Sequence, residues 1–239
     1  MLLAAPAFLA AVLLSPAWAE QGPALKDILR NTELHYQQLK AYTAHFRQKT
    51  TSASAANMST LASGVLFYQK PRQMRWEYET PEPQVFVANQ EYAWLYVPTE
   101  KQISLFEGKA FFASPIAKTF FDGIFELRKQ FEVTLEAKET TQATAVLNLV
   151  PREPDPNIQS LRLWVNLQDY RIVCLETKDA LGNLNQLIIE AQNELPALDP
   201  KLFQFETPRG TVVTDAEGQQ LSSGQIEEIQ ARIQADRRQ

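Results

Sequence analysis

Leu25, Ile28, Leu29, Thr32, Tyr36 and Leu39 recur at helical spacing with polar residues between them, which predicts one amphipathic helix of about four turns. From Tyr42 the period changes to two: Tyr42, Ala44, Phe46 and Gln48 alternate with Thr43, His45, Arg47 and Lys49, as in a strand with one covered face. Runs rich in aromatic and β-branched residues follow at 64–70, 74–78, 84–88, 92–97 and 101–106. Turn-forming residues separate them, among them Pro71, Pro81, Pro83, Asn89 and Pro98. Connections this short join antiparallel neighbours, so the pattern predicts a meander and not a βαβ fold.

The alternation breaks at Ala110. Between Ala110 and Gln130, Phe111, Phe112, Ile116, Phe120, Phe121, Ile124, Phe125 and Leu127 are interrupted by Pro115 and Gly123, which predicts one or two short, unusually apolar helices. Strands resume at 131–136, 145–151, 160–167, 172–177 and 184–191, and Asp179-Ala180-Leu181-Gly182-Asn183 supplies a hairpin turn. The prediction is a mainly β chain with some α: about ten strands in one antiparallel sheet, a leading helix and a helical insertion. A sheet of that size curls into a barrel or half-barrel. Beyond Thr214 the chain turns polar, with Ile226, Ile229 and Ile233 on one stripe and Ser222 and Gln225 spaced as a capping box. That stretch reads as a mobile tail ending in a marginal helix.

The first charged side chain is Glu20, and a short apolar run from Ala7 to Leu14 precedes Ala17-Trp18-Ala19. This fits an export signal at 1–19 cleaved before Glu20, although no Lys or Arg precedes the run. An N-terminal anchor is the other reading, but the run is well short of the roughly 20 residues that span a bilayer. The expected layout is a leader at 1–19, one folded unit at 20–214 and a tail at 215–239. A net charge of −5 argues against nucleic acid as a partner. Cys174 is alone, so no disulfide forms within the chain, and its neighbours Ile172, Val173 and Leu175 predict a buried, inert thiol.

Catalytic signals are missing. His35 and His45 fall on different elements, with no cysteine or carboxylate spacing suited to a metal. The nucleophile elbow, the H-E-x-x-H zinc motif, the dinucleotide fingerprint and the P-loop do not occur. Carboxylates converging from distant strands are the one catalytic arrangement that sequence leaves open. What stands out is apolar surface. Leu66-Phe67-Tyr68 and Trp94-Leu95-Tyr96 are apolar on both strand faces, whereas an antiparallel sheet usually turns one face to water. Either a helix covers the second face, or the sheet and the 110–130 segment enclose an apolar pocket; periodicity leaves both open.

Specific strings carry a resemblance. Leu39-Lys40-Ala41-Tyr42-Thr43-Ala44-His45-Phe46-Arg47-Gln48 after the leading helix, Gly64-Val65-Leu66-Phe67-Tyr68-Gln69-Lys70-Pro71-Arg72-Gln73-Met74-Arg75-Trp76-Glu77-Tyr78, Trp94-Leu95-Tyr96-Val97-Pro98, and Phe203-Gln204-Phe205-Glu206-Thr207-Pro208-Arg209-Gly210 occur in order. Together they resemble the LolA family of periplasmic lipoprotein carriers from about Leu25 to Thr214. The resemblance implies an incomplete antiparallel barrel with a helical lid over an apolar cavity. It also implies a chaperone, not an enzyme, that needs no cofactor. Its partners would be acylated lipoproteins, an inner-membrane ABC transporter that releases them, and the outer-membrane receptor LolB or an equivalent.

On this reading Leu66, Met74, Trp76, Trp94 and Tyr96, with Ile116, Phe120 and Ile124 from the lid, line the lipid cavity. The position before Pro71 is commonly an Arg that latches the lid; here it is Lys70, which lacks the planar fork, so the latch is looser or borrows Arg72. Met74 stands where an aromatic is common. The rival readings are LolB, which shares the fold but is anchored through an N-terminal cysteine that this sequence lacks near its expected cleavage point, and RseB-like modules that sense or bind lipoproteins in the envelope.

Overall fold

The structure is a computed structural model that describes residues 24–55, 58–113, 128–155 and 158–235. The expected leader and residues 114–127 of the expected helical insertion lie outside them. Helix α1 (Leu25–Gln38) buries Ile28, Leu29 and Thr32, and the Thr32 hydroxyl satisfies itself by donating to the Ile28 carbonyl at 2.8 Å. It ends where Leu39 turns extended, just ahead of the change to strand periodicity.

Among the described residues, twelve strands form one sheet. In chain order they are β1 (Ala41–Thr51), β2 (Ser59–Gln69), β3 (Gln73–Thr80), β4 (Gln84–Ala88), β5 (Tyr92–Val97), β6 (Gln102–Glu107), β7 (Phe131–Leu135), β8 (Thr144–Pro151), β9 (Ser160–Asn166), β10 (Ile172–Lys178), β11 (Leu184–Leu195) and β12 (Val212–Thr214). Their spatial order is β12-β6-β5-β4-β3-β2-β1-β11-β10-β9-β8-β7. The end strands do not pair with each other, so the barrel is incomplete, as the resemblance implies. Register shifts between β1 and β11, β2 and β3, and β9 and β10 supply bulges of the kind that bend long sheets. Helix α2 (Gly108–Ala113) follows β6 directly.

The structure corrects several expectations. The sheet is not wholly antiparallel, because β12 pairs with β6 in parallel. Strand β2 begins five residues before Gly64: Ser59–Ser63 is mostly small and polar around a single Leu61, with no apolar alternation to betray it, yet pairs with β1 throughout. The C-terminal stretch is packed against the sheet. Helix α3 (Ser223–Ala235) starts at the expected capping box, in which Ser222 N–H and Oγ both lie within 2.9 Å of Gln225 Oε1. Its Ile226 and Ile229 rest on a cluster of Val87, Trp94, Ile103, Leu105, Phe203, Phe205 and Val213.

Cys174 is half-buried, not buried. Desolvation still pushes its thiol up to about 11, which keeps it protonated and unreactive at neutral pH.

Candidate functional site

Residues directly opposite in an antiparallel pair point to the same side of the sheet, so register sorts the aromatic side chains. Tyr42, Tyr68, Met74, Ala88 and Ala93 make one row across β1–β5, and Ala44, Leu66, Trp76, Phe86 and Leu95 the next. These rows and α1 share one core, in which Ile28 and Leu29 meet Leu66, Tyr68, Met74 and Trp76. On the other side run Thr43, Phe67, Arg75, Val87, Trp94 and Leu105.

The predicted lining residues therefore divide. Leu66, Met74 and Trp76 come together in the core that also holds Ile28 and Leu29 of α1. Trp94 and Tyr96 do not join them; they pack on the opposite, outer face, where the Trp94 ring meets Phe205 edge-on with centroids 5.1 Å apart. Strand β5 is apolar on both sides, so its alternation carries no phase, and the β4–β5 turn sets it. Buried Asn89 fixes that turn by accepting from the Glu91 and Tyr92 N–H groups, which leaves Ala88 opposite Ala93. Ile116, Phe120 and Ile124 lie outside the described residues.

The inner face is more aromatic than expected. Phe46 touches Trp76 and Tyr78 at centroid distances of 4.8 and 5.0 Å, and Tyr42 stacks on Tyr68 at 5.1 Å. Half-buried Tyr78, Phe86 and Phe111 continue this surface toward α2. Gly64 sits between Phe46 and Tyr78 in the register. A Cβ there would lie 1.8 Å from the Glu77 carbonyl oxygen, so only glycine permits this approach of β2 to β3 and the meeting of the two rings above it. The period-two pattern had already put Phe46 on the same face as Tyr42 and Ala44; Tyr78 and Phe86 gave no comparable signal.

The two cations flanking Pro71 hold different helices. Lys70 Nζ donates to the carbonyl oxygens of Tyr36 and Gln37, at 2.6 and 3.0 Å, in the last turn of α1. Burial lowers its pKa from the ordinary lysine value. Arg72 places its guanidinium over the Phe112 ring of α2, 5.4 Å from the centroid. Further along α1, His35 Nε2 lies 3.6 Å from Glu194, and Arg171 bonds the same carboxylate at 2.9 Å. Desolvation lowers the His35 pKa despite that carboxylate. Among the described residues no three His, Cys, Asp or Glu side chains gather as a metal site.

A groove of about 410 Å³ opens beside α1 at the β7 edge. Leu25, Leu29, Phe131 and Val133 form its apolar floor, with Arg128, Lys129, Glu132 and Arg152 around it. Leu29 and Phe131 belong to the same core as the inner aromatic residues. What this arrangement can do chemically is shelter an elongated apolar group, with polar side chains left at the entrance.

Comparison with known proteins gives the family. Residues 37–206 match the family model of the outer membrane lipoprotein carrier protein LolA. The outer-membrane lipoprotein carrier proteins of Alkalilimnicola ehrlichii and Dechloromonas aromatica are each 28% identical to this chain, covering 85% and 79% of it and 89% and 85% of their own lengths. A LolA superfamily protein of known structure from Nitrosomonas europaea aligns with a TM-score of 0.42 at 14% identity, over 77% of this chain and 99% of its own. A family match across well over half of the chain decides the matter: it belongs to the LolA family of outer membrane lipoprotein carrier proteins.

Proposed function

We propose that this protein ferries acylated lipoproteins through the periplasm, taking them from an inner-membrane ABC transporter and passing them to LolB or an equivalent receptor at the outer membrane. The observation that carries this reading is the apolar inner face of Leu66, Met74 and Trp76, continued by half-buried Tyr78 and Phe86 and sharing one core with Ile28 and Leu29 of α1. A C16 chain has about 15 methylenes, worth on the order of 12 kcal/mol at ~0.8 each when buried. Free passage through water is prohibitive on that scale, and a sheltering face removes most of the cost without chemistry or cofactor.

Release sets the opposite demand. A carrier that covered its cargo with a rigid roof would not hand it on, so the cover must move. Here α1 is tied at its C-terminal end by the hydrogen bonds of Lys70, and these can break and re-form. Ile116, Phe120 and Ile124 would complete the lid. Depletion in the native bacterium tests the proposal. Lipoproteins should accumulate at the inner membrane, and the protein purified from periplasm should bring acylated peptide with it in mass spectra. Lipoproteins sorted normally after depletion would sink the carrier reading in favour of a sensor.

A further inference from the structure

Among the described residues the most exposed large apolar side chains are Leu181, Met58 and Leu61, at 81%, 72% and 67%. All three lie at one end of the molecule, where the β1–β2 hairpin meets the β10–β11 turn. Strand β2 stays paired with β1 down to Ser59, but pairs with β3 only from Ser63 onward, so the hairpin runs four residues past the last pair of β2 with β3. The β10–β11 turn is fastened to it: Ala53 N–H donates to Asn183 Oδ1 at 2.9 Å, and Thr51 pairs with Leu184. This is a protruding tip and not a groove.

The tip is built to present its leucine. The Asp179 carboxylate accepts from the Leu181 and Asn183 N–H groups, at 2.9 and 2.8 Å, and from the Asn183 side-chain amide at 2.7 Å. Gly182 takes the left-handed conformation at φ 86°, which closes the turn and leaves Leu181 at its apex. These bonds also hold the Asp179 carboxyl below its ordinary pKa, the Asn183 amide contributing most. From Thr50 to Gln69 the sequence carries no charge, nor does it from Ala180 to Gln186. Behind the apolar apex stand two exposed cations, Lys49 opposite Leu61 and Lys178 opposite Leu184. Glu79 and Glu82 sit further back, at the β3–β4 turn.

We infer that this tip touches the surface of an anionic lipid bilayer, seating Leu181, Met58 and Leu61 among the headgroups with Lys49 and Lys178 against lipid phosphates. The apex is convex and apolar, with the Asp179 carboxylate at its base engaged by the N–H groups of its own turn, and a bilayer suits it because lipids conform to a convex surface. The two lysines supply charge complementarity to anionic lipid at this end of the molecule. The inference goes beyond cargo carriage and does not rest on it, because it can be measured on protein without cargo.

The test is sedimentation of the purified mature protein with vesicles of equal parts phosphatidylglycerol and phosphatidylcholine, and with vesicles of phosphatidylcholine alone. The proteins are wild type, a triple variant (Met58→Ser, Leu61→Ser, Leu181→Ser), a charge variant (Lys49→Gln, Lys178→Gln), and the control Leu34→Ser on α1. Partition of wild type into the anionic vesicles should exceed that of the triple variant by about tenfold or more. Each lysine lost should weaken binding by roughly fivefold, and Leu34→Ser should match wild type. The inference is overturned if wild type and the triple variant sediment alike, if neither binds, or if wild type binds both vesicles equally. Self-association that the triple variant loses would overturn it too, assigning the tip to contact between two copies.

Discussion

The ammonium of Lys70 lies 2.6 Å from the carbonyl oxygen of Tyr36, so strand β2 grips α1 by its C-terminal end, where unpaired carbonyls and the helix dipole both favour a cation. A charged donor of this kind is worth roughly 1.5–3 kcal/mol net, enough to move a balanced open–closed equilibrium about tenfold. Lys70→Leu should therefore speed uptake of a fluorescent acylated peptide and slow its handover. Lys70→Arg, with a fork that can bond the Tyr36 and Gln37 carbonyls together, should slow uptake and ease release. Equal kinetics in all three proteins would reduce Lys70 to a structural contact, and Arg72, over Phe112, would become the residue to test.

Two tryptophans on opposite faces give a contrast that a generic packing role cannot produce. Trp76 lies on the inner face beside Phe46, in the core shared with α1, and Trp94 lies on the outer face against Phe205. Trp94→Ala should cost about 3–5 kcal/mol of stability while leaving acyl-peptide affinity of the folded protein unchanged. Trp76→Glu should lower that affinity at least tenfold, by placing a charge on the apolar face, with the smaller loss of melting temperature. Titration of a fluorescent acyl peptide beside thermal melts separates the two. If Trp94→Ala is the variant that loses affinity, the assignment of faces fails.

Period and turn chemistry made most of this fold legible, because most strands of the meander bury one face in the core shared with α1 or in the cluster against α3. Phase was the hidden part. Trp94 and Tyr96 sit in a strand apolar on both sides, and only the Asn89 turn decides which way they point. Ser59–Ser63 escaped notice because a strand that extends beyond its neighbours has little to bury, and β12 because its three residues are held by a parallel partner distant in sequence. Lys70 was legible as a latch only through resemblance; that it reaches the carbonyls of α1 depends on tertiary contact.

His35 predicts a pH response with a definite sign. Its surroundings are Glu194 on β11, Asp169 and Arg171 beside β10, and the edge of Tyr36. Because burial lowers its folded pKa, the unfolded chain binds the proton more readily. Stability is therefore fully present above the ordinary value of 6.5 and is lost as pH falls through it toward the lower folded value. Melting temperatures of wild type should fall over that window, and His35→Asn should flatten the slope. Parallel slopes would mean that the carboxylates alone set the acid response.

Helix α3 lies on the opposite face from α1, which separates its role from that of the inner aromatic surface. At 13 residues it is near the length at which an isolated helix is marginal in water. Its capping box at Ser222 and Gln225 contributes at the start, and Ile226 and Ile229 contribute by covering Trp94, Phe203 and Phe205. Removing residues 221–239 uncovers that cluster, so the truncated protein should melt at lower temperature and bind an apolar dye more strongly. Ser222→Ala alone should cost about 0.5–2 kcal/mol at most, felt as fraying of α3. Uptake of acylated peptide by the truncated protein should match wild type, since no inner-face residue loses a neighbour. A truncation that kept its stability but lost uptake would reverse this assignment and place α3 in the path of the cargo.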